Sequence, residues 1–277
     1  DRDGFSFTKE DLGFSDNDLK IFNRIIRQPY GIILVTGPTG SGKTTTLYTV
    51  LKDLNKEEKN IITVEDPVEY KLHGVNQVQV NVKAGLNFAN GLRSILRQDP
   101  DIIMVGEIRD SETAEIAVRA SITGHLVLST LHTNDTASTV ARLIDMGIEP
   151  YLVSTSLIGI VSQRLVKKLC TSCKTPYLLD EKQKMMLNID KGKDITLFKP
   201  KGCNNCIKGY RGRIPVHEVM YLDKNIRRLI DVHSTTDDIK DTAIKNGMKT
   251  LYESAANLAI EGITSIEEVL RIGYTVD

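Results

Sequence analysis

Residues Gly37-Pro38-Thr39-Gly40-Ser41-Gly42-Lys43-Thr44 follow the apolar run Ile32-Ile33-Leu34-Val35 and precede a stretch that reads as a helix. A glycine, four residues and then Gly-Lys-Thr, set between a buried strand and a helix, leave a chain few alternatives. Glycines let backbone N–H groups converge on phosphate oxygens, and the helix beyond aims its positive end at them. Lys43 neutralises their charge, and the Thr44 hydroxyl is placed to ligate Mg²⁺. The stretch from Gly37 through Thr44 and Thr45 is therefore the expected nucleotide-phosphate cradle, and ATP with Mg²⁺ is the expected occupant. A Gly-rich turn that merely precedes a lysine would not need both flanking elements.

The rest of the chain repeats the strand–helix alternation. Ser15-x-x-Asp18 starts a helix whose apolar residues are Leu19, Phe22, Ile25 and Ile26, and Pro29 stops it. Ile61 to Val64, Ile102 to Val105 and Leu126 to Leu128 read as buried strands, and Val78, Val80 and Val82 alternate as in a half-exposed one. Helices are expected over 88–97, with Phe88, Leu92, Ile95 and Leu96 on one face, and over 112–122. Alternation over 31–150 predicts an α/β fold with a mostly parallel sheet covered on both faces. After a strand-like run from Arg213 to Met220, helices near 224–232, 237–246, 250–261 and 265–272 predict a small helical C-terminal unit. The greasiest stretch, Leu152 to Val161, is broken by Ser154, Thr155 and Ser156 and is far too short to span a bilayer. The opening residues, Asp1-Arg2-Asp3-Gly4, have neither an initiator Met nor a signal-peptide pattern, so the chain is read as a piece of a longer cytosolic protein.

The 277 residues carry 36 Lys+Arg against 36 Asp+Glu, a balance that speaks against generic nucleic-acid binding. The balance is uneven along the chain. Residues 164–213 hold 13 Lys/Arg against 4 Asp/Glu, and all four cysteines fall in the same segment. Cys170-x-x-Cys173 and Cys203-x-x-Cys206 are two pairs that can each wrap one side of a tetrahedral ion, with 29 residues between them. Zn²⁺ is the expected occupant, and the linker, with Glu181 to Leu187, is expected to form a small lobe. A single pair would suit redox chemistry and four cysteines in a secreted protein would suit disulfides. The metal is read as a staple. The surrounding Lys167, Lys168, Lys174, Lys199, Lys201, Lys208, Arg211 and Arg213 are either a solvated face or a docking surface for an acidic partner. The expected divisions are 1–14 as the end of a preceding domain, 15–163 as the nucleotide core, 164–213 as the basic tetracysteine module and 214–277 as the helical unit.

Hydrolysis needs a metal-holding acid, a group that orients water, and positive charge on the transferring phosphoryl. Glu65-Asp66 follows one buried strand and Glu107 follows another, so both acidic sets should reach the crevice at the sheet's carboxyl edge. Glu107 is the expected water-activating carboxylate. His132, just past Leu126 to Leu128, is placed where a γ-phosphate would lie, whereas His73, His125, His217 and His233 carry a structural reading.

In order along the chain come the phosphate loop, Glu65-Asp66-Pro67-Val68-Glu69, Leu96-Arg97-Gln98-Asp99-Pro100-Asp101 with Gly106-Glu107-Ile108-Arg109-Asp110, and Thr123-Gly124-His125-Leu126 through His132-Thr133. This set resembles the Walker A, Asp box, Walker B and His box of the secretion-superfamily ATPases. With the cysteine pairs it is most similar to the type II secretion and type IV pilus assembly (extension) ATPases, the traffic ATPases. The resemblance implies a RecA-like core, with Glu107 as general base, Glu65, Asp66 and Glu69 as the Asp box, and His132 near the γ-phosphate. It further implies a cytoplasmic motor, peripheral at the membrane's cytoplasmic face. That motor would work as a homo-hexameric ring through a membrane platform protein and an adaptor, with no nucleic acid and no membrane span. Family members carry an N-terminal domain whose arginines reach a neighbour's active site, and those arginines are expected upstream of Asp1. The rival reading is a nucleic-acid translocase that uses the zinc module as a grip. Against it stand the neutral balance and only 15 aromatic residues, none of them Trp.

Overall fold

The structure, a computed structural model, describes residues 6–187, 189–190 and 194–276. The opening tetrapeptide on which a longer chain was inferred lies outside these residues. A 3-10 turn at Glu10–Leu12 leads into α1 (Asp16–Ile26), where the Ser15 hydroxyl accepts the Asp18 N–H as its cap. The core elements follow in the expected alternation: β1 (Gly31–Thr36), α2 (Lys43–Leu54), β2 (Ile61–Glu65), β3 (Asn76–Gln79), α3 (Phe88–Ile95), β4 (Ile102–Val105), α4 (Ser111–Ile122), β5 (Leu126–Leu131), α5 (Thr136–Asp145) and α6 (Pro150–Ser156). Then come β6 (Leu157–Leu169), β7 (Thr175–Leu178), α7 (Glu181–Met186), β8 (Thr196–Lys199) and β9 (Tyr210–Tyr221). The chain ends in α8 (Lys224–Asp231), α9 (Thr236–Lys245), α10 (Leu251–Ile260) and α11 (Ile266–Val276).

Seven strands form one sheet in the order β3-β2-β4-β5-β1-β6-β9, parallel throughout except for the antiparallel β6–β9 pair. Successive residues of the central strands turn to opposite faces, and both faces are covered, which is why those strands read as unbroken apolar runs. On one side Ile32, Leu34, Val64, Ile103, Val105 and Val127 pack with α3, α4, α5 and α6. On the other, Ile33, Val35, Met104 and Leu128 pack with Phe22, Ile25 and Ile26 of α1 and Leu47 and Leu51 of α2.

Register brings the strand ends level. Val64 pairs with Val105, Val105 with Ser129, and Val35 with Thr130, so the loops after β1, β2, β4 and β5 leave from one edge.

Three expectations change. The strand through Val82 stops at Gln79, because the Asn81 side chain accepts the Ala84 N–H and turns Val82–Ala84 into a 3-10 turn that leaves Val82 exposed. The apolar stretch 152–161 divides into the end of α6 and the start of β6. The divisions at 164 and 213 fall inside β6 and β9, whose ladder runs from Gly159–Tyr221 to Leu169–Tyr210, so charge and cysteine content change there while the backbone continues. The terminal helices likewise divide between two neighbours. Ile226 and Ile230 of α8 and Ile239 of α9 join the α3–α6 core. Leu251, Ala255 and Ala259 of α10 pack with Val166, Leu179, Leu187 and Leu197 of the cysteine lobe. That lobe has a two-stranded β7–β8 sheet with α7 between its strands.

Candidate functional site

The loop between β1 and α2 opens on a cleft of ≈ 580 Å³ lined by Thr39, Gly40, Gly42, Lys43, Thr44 and Thr45 on one side and Glu65, Asp66, Glu69, Glu107, Arg109 and His132 on the other. The sheet edge therefore brings every expected acid and His132 to the loop. Gly37 (φ 142°) and Gly42 (φ 90°) hold backbone that L side chains rarely adopt. A Cβ on Gly37 would lie 2.3 Å from the Gln163 carbonyl oxygen. Gly42 also sits close to that residue, since its Cβ would lie 2.8 Å from Gln163 Nε2. Gln163, on β6, is buried, donates from Nε2 to the Ser41 carbonyl at 2.7 Å and accepts from Thr46 Oγ1 at 2.7 Å. It thus ties both halves of the loop to the sheet. The Lys43 ammonium is folded onto the loop, donating to the Gly37 and Pro38 carbonyls at 2.9 and 3.0 Å. Burial lowers its pKa and Glu107 partly opposes that shift. Thr44 is exposed at the cleft, open to a metal, and Thr45 is half-buried beside it.

Glu107 follows β4 by one glycine, and the Gly106 N–H donates to the Val64 carbonyl at 2.8 Å while Thr130 Oγ1 donates to the Gly106 carbonyl at 2.8 Å. The carboxylate is paired with Arg109 through one oxygen and faces His132 Nε2 at 3.3 Å through the other. Burial alone would raise its pKa; the Arg109 hydrogen bond and charge, with His132, outweigh burial and hold it below the ordinary value. Arg109 also lies 3.9 Å from Asp66, so one cation spans both acidic sets.

The Asp box separates by burial. Asp66 and Glu69 are exposed, whereas Glu65 is 3% exposed and its oxygens accept from the Tyr48 hydroxyl, from Thr63 Oγ1 at 2.5 Å and from Gln77 Nε2 at 3.1 Å. Burial, and then the Glu65 carboxylate, push the Tyr48 hydroxyl well above its ordinary range. Tyr48 also accepts the Glu69 N–H at 3.2 Å, so Glu65 holds the shape of the loop that carries Asp66 and Glu69. Of the other histidines, His217 is wholly buried against Phe14, with ring centroids 4.0 Å apart. Its Nε2 lacks a hydrogen-bond partner, and burial lowers its pKa to about 3.

In the other lobe, Cys170, Cys173, Cys203 and Cys206 bring their sulfurs within 4.8 Å of one another. The Sγ separations are 3.9 Å for Cys170–Cys203, 3.7 Å for Cys173–Cys206 and 3.6 Å for Cys203–Cys206. A ZnS₄ tetrahedron with bonds of about 2.3 Å has edges of about 3.8 Å, whereas a disulfide needs about 2.05 Å. The four thiols fit Zn²⁺ and are free cysteines.

The Type II/IV secretion system protein family matches residues 1–271. The chain belongs to that family. It is 52% identical over 262 residues to Type II secretion system protein E of Pseudomonas aeruginosa, covering 94% of this chain and 52% of that protein. It is 50% identical over 264 residues to the Type IV pilus assembly ATPase PilB of Thermus thermophilus, covering 94% of this chain and 30% of that one. Among solved structures, the pilus retraction motor PilT with bound ADP superposes with a TM-score of 0.72 at 31% identity, covering 96% of this chain and 66% of that chain. The chain spans about half the length, 52%, of the type II secretion relative. The mixed α/β class and the family resemblance are thereby established. Among the described residues no helix is long and apolar enough to cross a membrane.

Sequence reasoning missed Gln163 altogether, because β6 was not recognised as a strand. It named Arg109 only within a motif. The apolar run Leu157 to Val161 was a signal for the strand β6, but nothing in the spacing marked Gln163 as the residue that meets the loop.

Proposed function

We propose that this chain is the ATP-hydrolysing part of a motor for type II secretion or type IV pilus assembly. The carrying observation is Glu107, held below its ordinary pKa and set across the cleft from the loop. In this reading the loop N–H groups and Lys43 take the phosphates, and Thr44 with the carboxylates of Asp66, Glu69 and Glu107 would be the residues to hold Mg²⁺. Mg²⁺ screens the phosphate charge when bound. Glu107 orients the attacking water and takes its proton, with Arg109 paired to one carboxylate oxygen and His132 beside the other. Lys43 must leave the Gly37 and Pro38 carbonyls to reach a phosphate, which replaces two neutral acceptors with a charged one. Glu65 acts through Tyr48 in positioning the acidic loop. Zn²⁺ on the four cysteines staples the basic lobe.

The relatives' names, a type II secretion system protein E and a type IV pilus assembly ATPase, support a secretion or pilus motor; the cytoplasmic hexameric ring working against a membrane platform protein with an adaptor is the further part of this proposal. In such a ring, arginines supplied by a neighbour would be worth roughly 10³ to 10⁵ in rate. The test is Glu107→Gln. ATP affinity is expected to stay within a fewfold while turnover falls by at least ~100-fold, the low end of a general-base contribution. Near-normal turnover in that variant would transfer water activation to Asp66 or Glu69.

A further inference from the structure

The phosphate loop has a second cleft on its other side. This cavity of ≈ 540 Å³ is walled by Pro38 to Ser41, by Leu165 and Ile272, and by four cations, Arg164, Lys167, Arg213 and Arg271. Among the described residues no carboxylate lines it. We propose that it is a binding site for a phosphate-type oxyanion, separate from the nucleotide cradle and in contact with the outer face of the same loop.

The charge balance supports this. Arg164 is 7% exposed, yet only its Nη2 is hydrogen-bonded, to the Asn134 carbonyl at 3.3 Å and Oδ1 at 3.1 Å. Its buried Nε has no partner. An arginine brought out of water with donors unmet is costly unless an anion completes it. The acids around it are committed elsewhere. Asp135 caps α5 and pairs with Lys240 at 3.2 Å, and burial favours the protonated form of Glu218, which accepts from Thr136. At the cleft's other end Glu268 is shared between Lys167 at 3.4 Å and Arg271 at 2.7 Å. Arg213 is exposed and makes no ion pair among the described residues. Arg213 thus has no ion pair among the described residues and the Arg164 Nε no acceptor, although Asp135 and Glu218 act on the Arg164 charge, and the space has open room beside Gly40, where an added Cβ would meet nothing within 4 Å. Arginine forks match the oxygens of a phosphate, and apolar flanks exclude competing water.

Thr39 and Gly40 line both clefts, so an anion here touches the loop that holds the nucleotide. Two sources share the chemistry: orthophosphate left by hydrolysis, or the phosphoryl group of a small phosphorylated molecule. The first source rests on the hydrolytic reading above; the site does not.

The experiment titrates inorganic phosphate into the 277-residue chain saturated with ADP, which occupies the α- and β-phosphoryl part of the cradle, so that dependence on Arg213 separates this cleft from the γ-phosphoryl position that ADP leaves open, with ³¹P line broadening and calorimetry as readouts. One phosphate per chain is expected to bind without displacing ADP. Arg213→Ala is expected to weaken it roughly tenfold, the value of one charge-assisted hydrogen bond, and Arg213→Glu to abolish it, with ADP affinity unchanged within twofold. The exposed Arg213 keeps the test independent of Arg164, whose replacement could unfold the chain. Phosphate that binds only when ADP is absent, or equally well to Arg213→Glu, overturns the site. Failure of ADP to bind at all sinks the nucleotide reading instead, and phosphate binding that depends on Arg213 would then still uphold this one. A parallel titration with AMP assigns the source: orthophosphate binding more tightly than AMP favours the hydrolysis product, and the reverse favours a phosphorylated small molecule.

Discussion

The nucleotide cleft and the cysteine cluster are built on opposite plans. The cleft gathers residues 37–45, 65–69, 107–109, 132 and 163 from the ends of separate strands, and none of them is placed by its chain neighbours alone. The cluster takes two short Cys-x-x-Cys turns and needs only that they meet. A site of the first kind inherits its precision from a packed sheet and survives loss of its ligand. A site of the second kind depends on its ion to hold the two turns together, although Leu179, Leu187 and Leu197 of its lobe share a hydrophobic cluster with α10 and α11.

The largest expected effect tests that dependence. Protein purified without added metal should contain close to one Zn²⁺ per chain. Chelation should strip protease protection from the lobe around Cys170–Cys206 while the nucleotide core stays folded, since structural Zn²⁺ is worth on the order of 10 kcal/mol or more. Elemental analysis without metal in a chain with intact thiols would place both sites on the same plan.

Next comes Lys43→Ala, which removes the ammonium from the cradle and is expected to cost most of the ATP affinity with little change in melting temperature. An equilibrium binding titration beside a thermal scan checks both halves. Loss of folding would show that the two carbonyl contacts of Lys43 are structural.

Gln163→Ala probes how far the cleft relies on a distant strand. The Ser41 carbonyl and Thr46 hydroxyl would both lose a buried partner, for about 2 to 4 kcal/mol of stability and roughly tenfold weaker nucleotide binding. Denaturant melts with and without ADP measure the two separately.

The smallest effect is a pH dependence from outside both sites. His217 titrates at about 3 when folded because burial disfavours its charged form, against about 6.5 unfolded. Between those values the unfolded chain holds a proton that the folded chain does not, so stability falls as pH falls. The loss from this group is about 2 kcal/mol between pH 7 and 5. His217→Leu should flatten that part of the stability profile, and an unchanged slope would assign it to other groups.

Much of this arrangement was legible in the residues. The loop, the acids at strand ends and the cysteine pairs each carry a spacing that states its chemistry, and apolar runs such as Ile102 to Val105 announce strands buried on both faces. Periodicity says which face of an element is apolar but not what covers it. That is why α8 and α9 were assigned to a separate unit although Ile226, Ile230 and Ile239 complete the sheet's own core. Gln163 was illegible for a related reason: its partner Thr46 is 117 residues away. Composition misplaced the divisions, because a change of charge at position 164 says nothing about whether the hydrogen-bonded ladder continues.

The continuity of β6 has a mechanical meaning. Gln163 grips the phosphate loop, and seven residues further along the chain, immediately past the end of β6 at Leu169, Cys170 begins the cysteine cluster. At about 3.3 Å per residue that is a lever arm of roughly 23 Å, braced along its length by β9. A tilt of about 5° where the strand meets the loop would carry the cysteine end through about 2 Å, by the geometry of an extended strand. The ladder with β9 is continuous as far as Lys167 and shifts register before Leu169, so any displacement at the loop would reach the cysteine cluster along paired strand except at that one irregularity.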